Sequence, residues 1–90
     1  MWEDLQQQVK RLMESTLVPY SELARVVSER MGAKVHGTEV SHAVNDERGT
    51  TRKGRQILLV SQEYLTEVLE AQNRELAQQM RRAEKALANK

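Results

Sequence analysis

An all-α fold is what this sequence predicts, and three observations carry the prediction. Apolar residues recur at three- and four-residue steps through most of the 90-residue chain, the period of a helix with one buried face. Only one Pro and four Gly interrupt that pattern. Trp2, Tyr20 and Tyr64 are the whole aromatic inventory, so the core has to be built from Leu, Val, Ile, Ala and Met, residues better suited to packed helices than to a sheet. At this length a single small core is expected, and 39% hydrophobic against 30% charged residues gives a folding chain rather than a disordered tail.

Each element follows from its residues. Trp2, Leu5, Val9, Leu12 and Met13 fall on one side of a first helix that ends near Ser15 and Thr16. Pro19 suits the start of a second helix, whose core side is Leu23, Val26, Val27 and Met31 and whose stop is Gly32. Residues 33–37 have no helical period and form a loop, with Val35 turned inward. Thr38 is the expected N-cap of a short third helix over about 39–47, with Val40 and Val44 facing the core and Gly49 as its stop. Thr50 or Thr51 caps a long fourth helix carrying Ile57, Leu58, Tyr64, Leu65, Val68, Leu69, Leu76, Met80, Ala83 and Leu87. In an alternative reading, residues 50–60 form a wing, two strands turning at Lys53 and Gly54 with residues 57–60 as the second.

Composition also bounds the chemistry. Without Cys there are no disulfides, thiol nucleophiles or Cys-ligated metals, and His36 and His42 alone do not make a metal site. No Gly-rich phosphate loop or nucleophile–base grouping is written in the chain, so no enzyme activity and no cofactor are expected. The longest apolar run is residues 57–60 and the first residues carry no basic segment, so no membrane partner is expected and the anticipated location is cytoplasmic, at the nucleoid.

The net charge is +1, but it is unevenly placed. Arg48, Arg52, Lys53 and Arg55 lie within eight residues that contain no acid, between an acidic amino-terminal half and a balanced carboxy-terminal stretch. Cations in the first turns of the fourth helix oppose its macrodipole, by about 0.3 to 1 kcal/mol each at exposed positions. An anion bound there reverses the sign, because backbone N–H groups, dipole and side chains all favour it. Arg48, Thr50, Thr51, Arg52, Lys53 and Arg55 are therefore candidate phosphate contacts.

Two short helices followed at once by a basic cluster are the layout of a helix-turn-helix, in which the second helix enters the DNA major groove. Residues 40–45, then Thr50 or Thr51, Arg55, Ile57, Leu58, Tyr64 and Leu65, resemble the recognition helix and following helix of the lactose-repressor and phage lambda-type repressor superfamily. Ser21, Glu22, Leu23 and Ala24 are similar to the start of its first motif helix. The resemblance spans about residues 20–69, with one departure: sixteen positions separate Ala24 from Val40, where the compact motif has about ten. It implies a helix-turn-helix domain over 1–69 and base contacts from Thr38, Glu39, Ser41, His42 and Asn45. Their chemistry suits the role: Asn can offer a donor and an acceptor to adenine, Glu can accept from cytosine N4, and Ser and Thr can bond any base or a phosphate.

Residues 70–90 read as a helical oligomerisation extension. Leu65, Leu69, Leu76, Met80, Ala83 and Leu87 form a stripe longer than the small core can cover, predicting a homodimer seam. The expected function is a dimeric, sequence-specific transcriptional regulator binding double-stranded DNA, of phage, plasmid or other mobile-element build, with a regulatory protein as a further partner. The alternative is a coiled-coil interaction adaptor or an inhibitor of a nucleic-acid enzyme, its basic cluster meeting an acidic protein surface.

Overall fold

The computed structural model describes residues 2–88, apart from the side chains of Trp2, Glu3 and Arg48. The inward position expected of Trp2 and the phosphate contact expected of Arg48 therefore lie outside the described residues. Four helices follow one another: α1 (Trp2–Thr16), α2 (Tyr20–Met31), α3 (Gly37–Asn45) and α4 (Arg52–Ala88), with a 3-10 turn (Glu47–Thr50) between the last two. No strand occurs among the described residues, so the wing over 50–60 is overturned. Gly54, Ile57, Leu58, Ser61 and Leu65 are buried at helical spacing, and this continuous apolar face is what holds residues 52–60 helical.

The core is aliphatic. Val9 of α1, Leu23, Ala24 and Val27 of α2, Val40, Ala43 and Val44 of α3, and Ile57, Leu58 and Leu65 of α4 form one buried cluster, with Val18 and Val35 contributed by the connections. Full burial of a Leu or Ile side chain is worth roughly 1.5 to 3 kcal/mol, and these contacts hold the short helices in place. α1 runs parallel to α4: Gln62 donates to Gln8 near its middle, and Gln72 donates to the Thr16 carbonyl at its end, 3.1 Å away. Arg30 ties the end of α2 to α4, 2.6 Å from Glu67 Oε2, 3.6 Å from Glu63 Oε1 and 5.4 Å above the Tyr64 ring.

Gly32 terminates α2 at φ 67°, the left-handed conformation expected of a stop glycine. The additional spacing between Ala24 and Val40 divides between α2, which continues to Met31, and the turn over residues 32–36. Ser28 closes that turn: its hydroxyl accepts the Val35 N–H at 2.8 Å and donates to the Ala24 carbonyl at 2.6 Å. Val35 is thereby drawn inward.

Both ends of α3 differ from expectation. Its N-cap is His36, not Thr38, and Thr38 is the second helical residue. Glu39, third in the helix, accepts the His36 N–H at 3.3 Å, satisfying the entering chain from one turn ahead. At the other end the helix stops at Asn45, where the Asp46 backbone is extended and Gln6 of α1 donates to the Ala43 and Asp46 carbonyls, each at 2.9 Å. Gly49 sits in the 3-10 turn beneath this junction, where a β-carbon would collide with the Ala43 carbonyl and the Gln6 amide. Its role is close approach, not the helix stop that its place in the sequence suggests.

α4 covers 37 residues, about 55 Å at 1.5 Å per residue, in a molecule whose longest dimension is 58 Å. Its buried residues end at Leu65, and every residue from 70 to 88 is exposed. Leu65 is wholly inside the core of the single chain. The seam expected of it cannot use it, which leaves Leu69, half-buried, and Leu76, Met80, Ala83 and Leu87, all exposed.

Candidate nucleic-acid interface

α3 buries Val40, Ala43 and Val44 and turns the opposite stripe outward. On that stripe, Ser41 and His42 lie three and four positions after Thr38 and four and three before Asn45, with Thr38 and Asn45 exposed and Ser41 and His42 half-buried. Four of the five expected base-contact residues thus share a face. The fifth, Glu39, turns toward α4, where its Oε2 lies 2.7 Å from Lys53 Nζ.

Two of the outward residues have internal partners that define what they can offer. Asn45 Nδ2 donates to the Tyr20 hydroxyl at 3.0 Å and to the Ser41 carbonyl at 2.8 Å, so both amide hydrogens are engaged and Oδ1 is the group left to present. Reading adenine through both amide atoms would require giving up one of these bonds. His42 Nδ1 lies 2.7 Å from Asp46 Oδ2. An ionised carboxylate can only accept, so Nδ1 carries the proton, and in the neutral ring Nε2 is an acceptor suited to an exocyclic base amine.

The basic residues lie at the start of α4. Thr51 caps that helix, its Oγ1 accepting the Gly54 N–H at 2.9 Å, whereas the Thr50 hydroxyl donates to the Glu47 carbonyl at 2.7 Å and closes the 3-10 turn. Sequence left these two threonines interchangeable; the structure gives them different tasks. Arg52, Lys53 and Arg55 are exposed in the first turns, and no acid accompanies them there. The compensating carboxylate comes instead from α3. Glu39 is held below its ordinary carboxylate range by its hydrogen bond to Lys53 and then by the His36 N–H. Beneath the ion pair, Glu39, Ala43, Thr51, Lys53, Gly54 and Ile57 line a recess of about 270 Å³.

The positioning residues are ones that periodicity does not single out. Gln6 fixes the end of α3, Ser28 fixes its approach, and Tyr20 orients Asn45. Each acts across a turn or between helices, and only Gly32 and Pro19 had announced that such junctions existed. Among the described residues, no cluster of His, Cys, Asp and Glu could hold a metal ion and no helix is long and apolar enough to cross a membrane. No protein-family model, curated protein or solved structure matches this chain.

Proposed function

We propose that the chain is a sequence-specific DNA-binding transcriptional regulator that acts as a homodimer, with α3 as the helix that reads base edges and the start of α4 as the phosphate clamp. One observation carries this reading: α3, whose outward stripe bears Thr38, Ser41, His42 and Asn45, is joined through Glu39 to a helix N-terminus bearing Arg52, Lys53 and Arg55 with no acid in its own first turn. Polar side chains on a short helix can exchange hydrogen bonds with bases, while neighbouring cations and a helix N-terminus favour phosphate. Dimerisation belongs to the reading because one small unit covers few base pairs and a two-fold partner doubles the site.

The test is binding to mixed genomic duplex DNA as salt is varied. Affinity should fall linearly in log–log form, each phosphate contact contributing about −0.9 to the slope, and a subset of fragments should be retained preferentially. Absence of binding at low salt would refute the reading. The second reading, a coiled-coil protein-interaction adaptor or an inhibitor of a nucleic-acid enzyme, is favoured by the half-exposed Leu59, which with Met31, Gln56 and Val60 lines a largely apolar recess. Capture of an acidic protein together with indifference to DNA would decide for it.

A further inference from the structure

α1 covers α4 only as far as Gln72, where the bond to the Thr16 carbonyl marks its last turn. The stripe on α4 does not stop there. Leu69, Asn73, Leu76, Met80, Ala83 and Leu87 alternate four- and three-residue steps, the spacing that places residues on the seam of a two-stranded coiled coil. Leu76, Met80 and Leu87 are 55%, 57% and 70% exposed, so no helix among the described residues packs over them. At the point where α1 leaves α4 stands Leu17, 84% exposed with φ 61°, a left-handed conformation that Gly or Asn adopts more readily than Leu.

We infer that a second copy of this chain takes over the stripe where α1 ends, the two α4 helices pairing parallel and in register with Asn73 against Asn73 of the partner subunit and with Leu17 widening the apolar contact at its head end. The inference rests on the dimer reading above and adds the orientation. Asn73 decides it. In the parallel pair, two amides meet and satisfy each other, and a lone polar residue at this heptad position is a known means of fixing register and two-strandedness at some cost in stability. The antiparallel pair that best matches the leucines sets Leu69 against the partner's Leu87, which leaves Asn73 facing the partner's Ala83 without a bonding partner. It also brings Glu70 beside the partner's Glu84, two like charges flanking the seam. Parallel pairing flanks the seam with Gln72 opposite the partner's Ala77 and Gln79 opposite the partner's Glu84, with no like-charge contact. Both heads then lie at one end of the coil, where two α3 helices can address one duplex.

Orientation can be read with single cysteines, since the chain has none. Under a mild oxidant, Leu87→Cys should form a disulfide-linked dimer by itself, because parallel register puts the two positions opposite each other. In the antiparallel pair they are 18 residues, roughly 27 Å, apart, and only a mixture of Leu69→Cys with Leu87→Cys would link. Linking only in the mixture overturns the orientation while leaving self-association intact; a parent that sediments as a monomer, together with cysteine variants that link in neither experiment, overturns both, whatever the affinity for DNA. Asn73→Leu should lose the selectivity: the mixture should then gain a cross-link between positions 69 and 87, identified by peptide mapping, which the parallel pair does not form. Leu17→Asn should weaken the dimer roughly tenfold without lowering the stability of the full chain at dilutions where it is monomeric, since Asn tolerates the backbone conformation; an unchanged dimer affinity would remove Leu17 from the contact.

Discussion

Glu39 Oε2 lies 2.7 Å from Lys53 Nζ, joining α3 to the first turn of α4 across fourteen positions of sequence. The pair places a carboxylate beside the cationic first turns of α4. In the proposed function it also competes with DNA, because a lysine bound to Glu39 is not bound to phosphate.

Glu39→Gln should therefore raise affinity for duplex DNA of any sequence by a few-fold at low salt and steepen the salt dependence by up to about 0.9 per subunit. Gln keeps an acceptor for the His36 N–H, so the start of α3 is retained. Titrations at several salt concentrations check this, and an unchanged slope would show that Lys53 does not reach phosphate.

The same residue predicts a pH effect. Glu39 has its proton affinity lowered in the folded chain, first by Lys53 and then by the His36 N–H. Its contribution is complete above the ordinary carboxylate pKa and is lost as pH falls through the lowered folded value. Denaturant midpoints followed from neutral pH into the acid range should fall less steeply for Glu39→Gln than for the parent. The difference is modest, because both partners of the ion pair are substantially exposed.

Changing Arg52, Lys53 and Arg55 together to Gln should flatten the salt dependence of DNA binding at a modest cost in stability, since the lost Lys53–Glu39 pair is substantially exposed and removing cations from a helix N-terminus favours the helix. Circular dichroism verifies the fold and the binding slope reads the effect. Affinity and slope both equal to the parent's would exclude the start of α4 as a phosphate site.

Asn45→Ala should alter which sequences are selected from a random pool, costing about 1 to 3 kcal/mol on the preferred site and little on random DNA. Tyr20→Phe is the sharper companion, because it removes the hydroxyl that accepts from Asn45 Nδ2 and leaves the side chain on α3 untouched. A partial shift in preference for Tyr20→Phe is expected; identical selected sites for both variants would take Asn45 out of the reading role.

Ser61 is fully buried, and its hydroxyl has no hydrogen-bond partner among the described residues. An unsatisfied buried hydroxyl costs roughly 1 to 3 kcal/mol, so Ser61→Ala should raise stability by about 1 kcal/mol after the loss of its packing contacts. Denaturant unfolding measures this directly, and a destabilised variant would mean that the hydroxyl is bonded in solution.

The helices, the stop at Gly32, the cationic start of α4 and the inward faces of α2 and α3 are determined by the sequence alone, because a helix repeats every three to four residues and its face and ends are written in neighbouring positions. What the outward residues can do was decided elsewhere in the chain. Glu39 was expected beside Ser41 and His42 but is turned to Lys53, Asn45 has its amide taken by Tyr20, and Gly49 lacks room for a β-carbon because Gln6 reaches over from α1. Leu65 and Leu76 share one heptad-like stripe, yet the first is fully buried and the second 55% exposed, since α1 ends between them. Periodicity records that a residue has an apolar face to hide; only the approach of one helix to another settles whether the chain itself hides it.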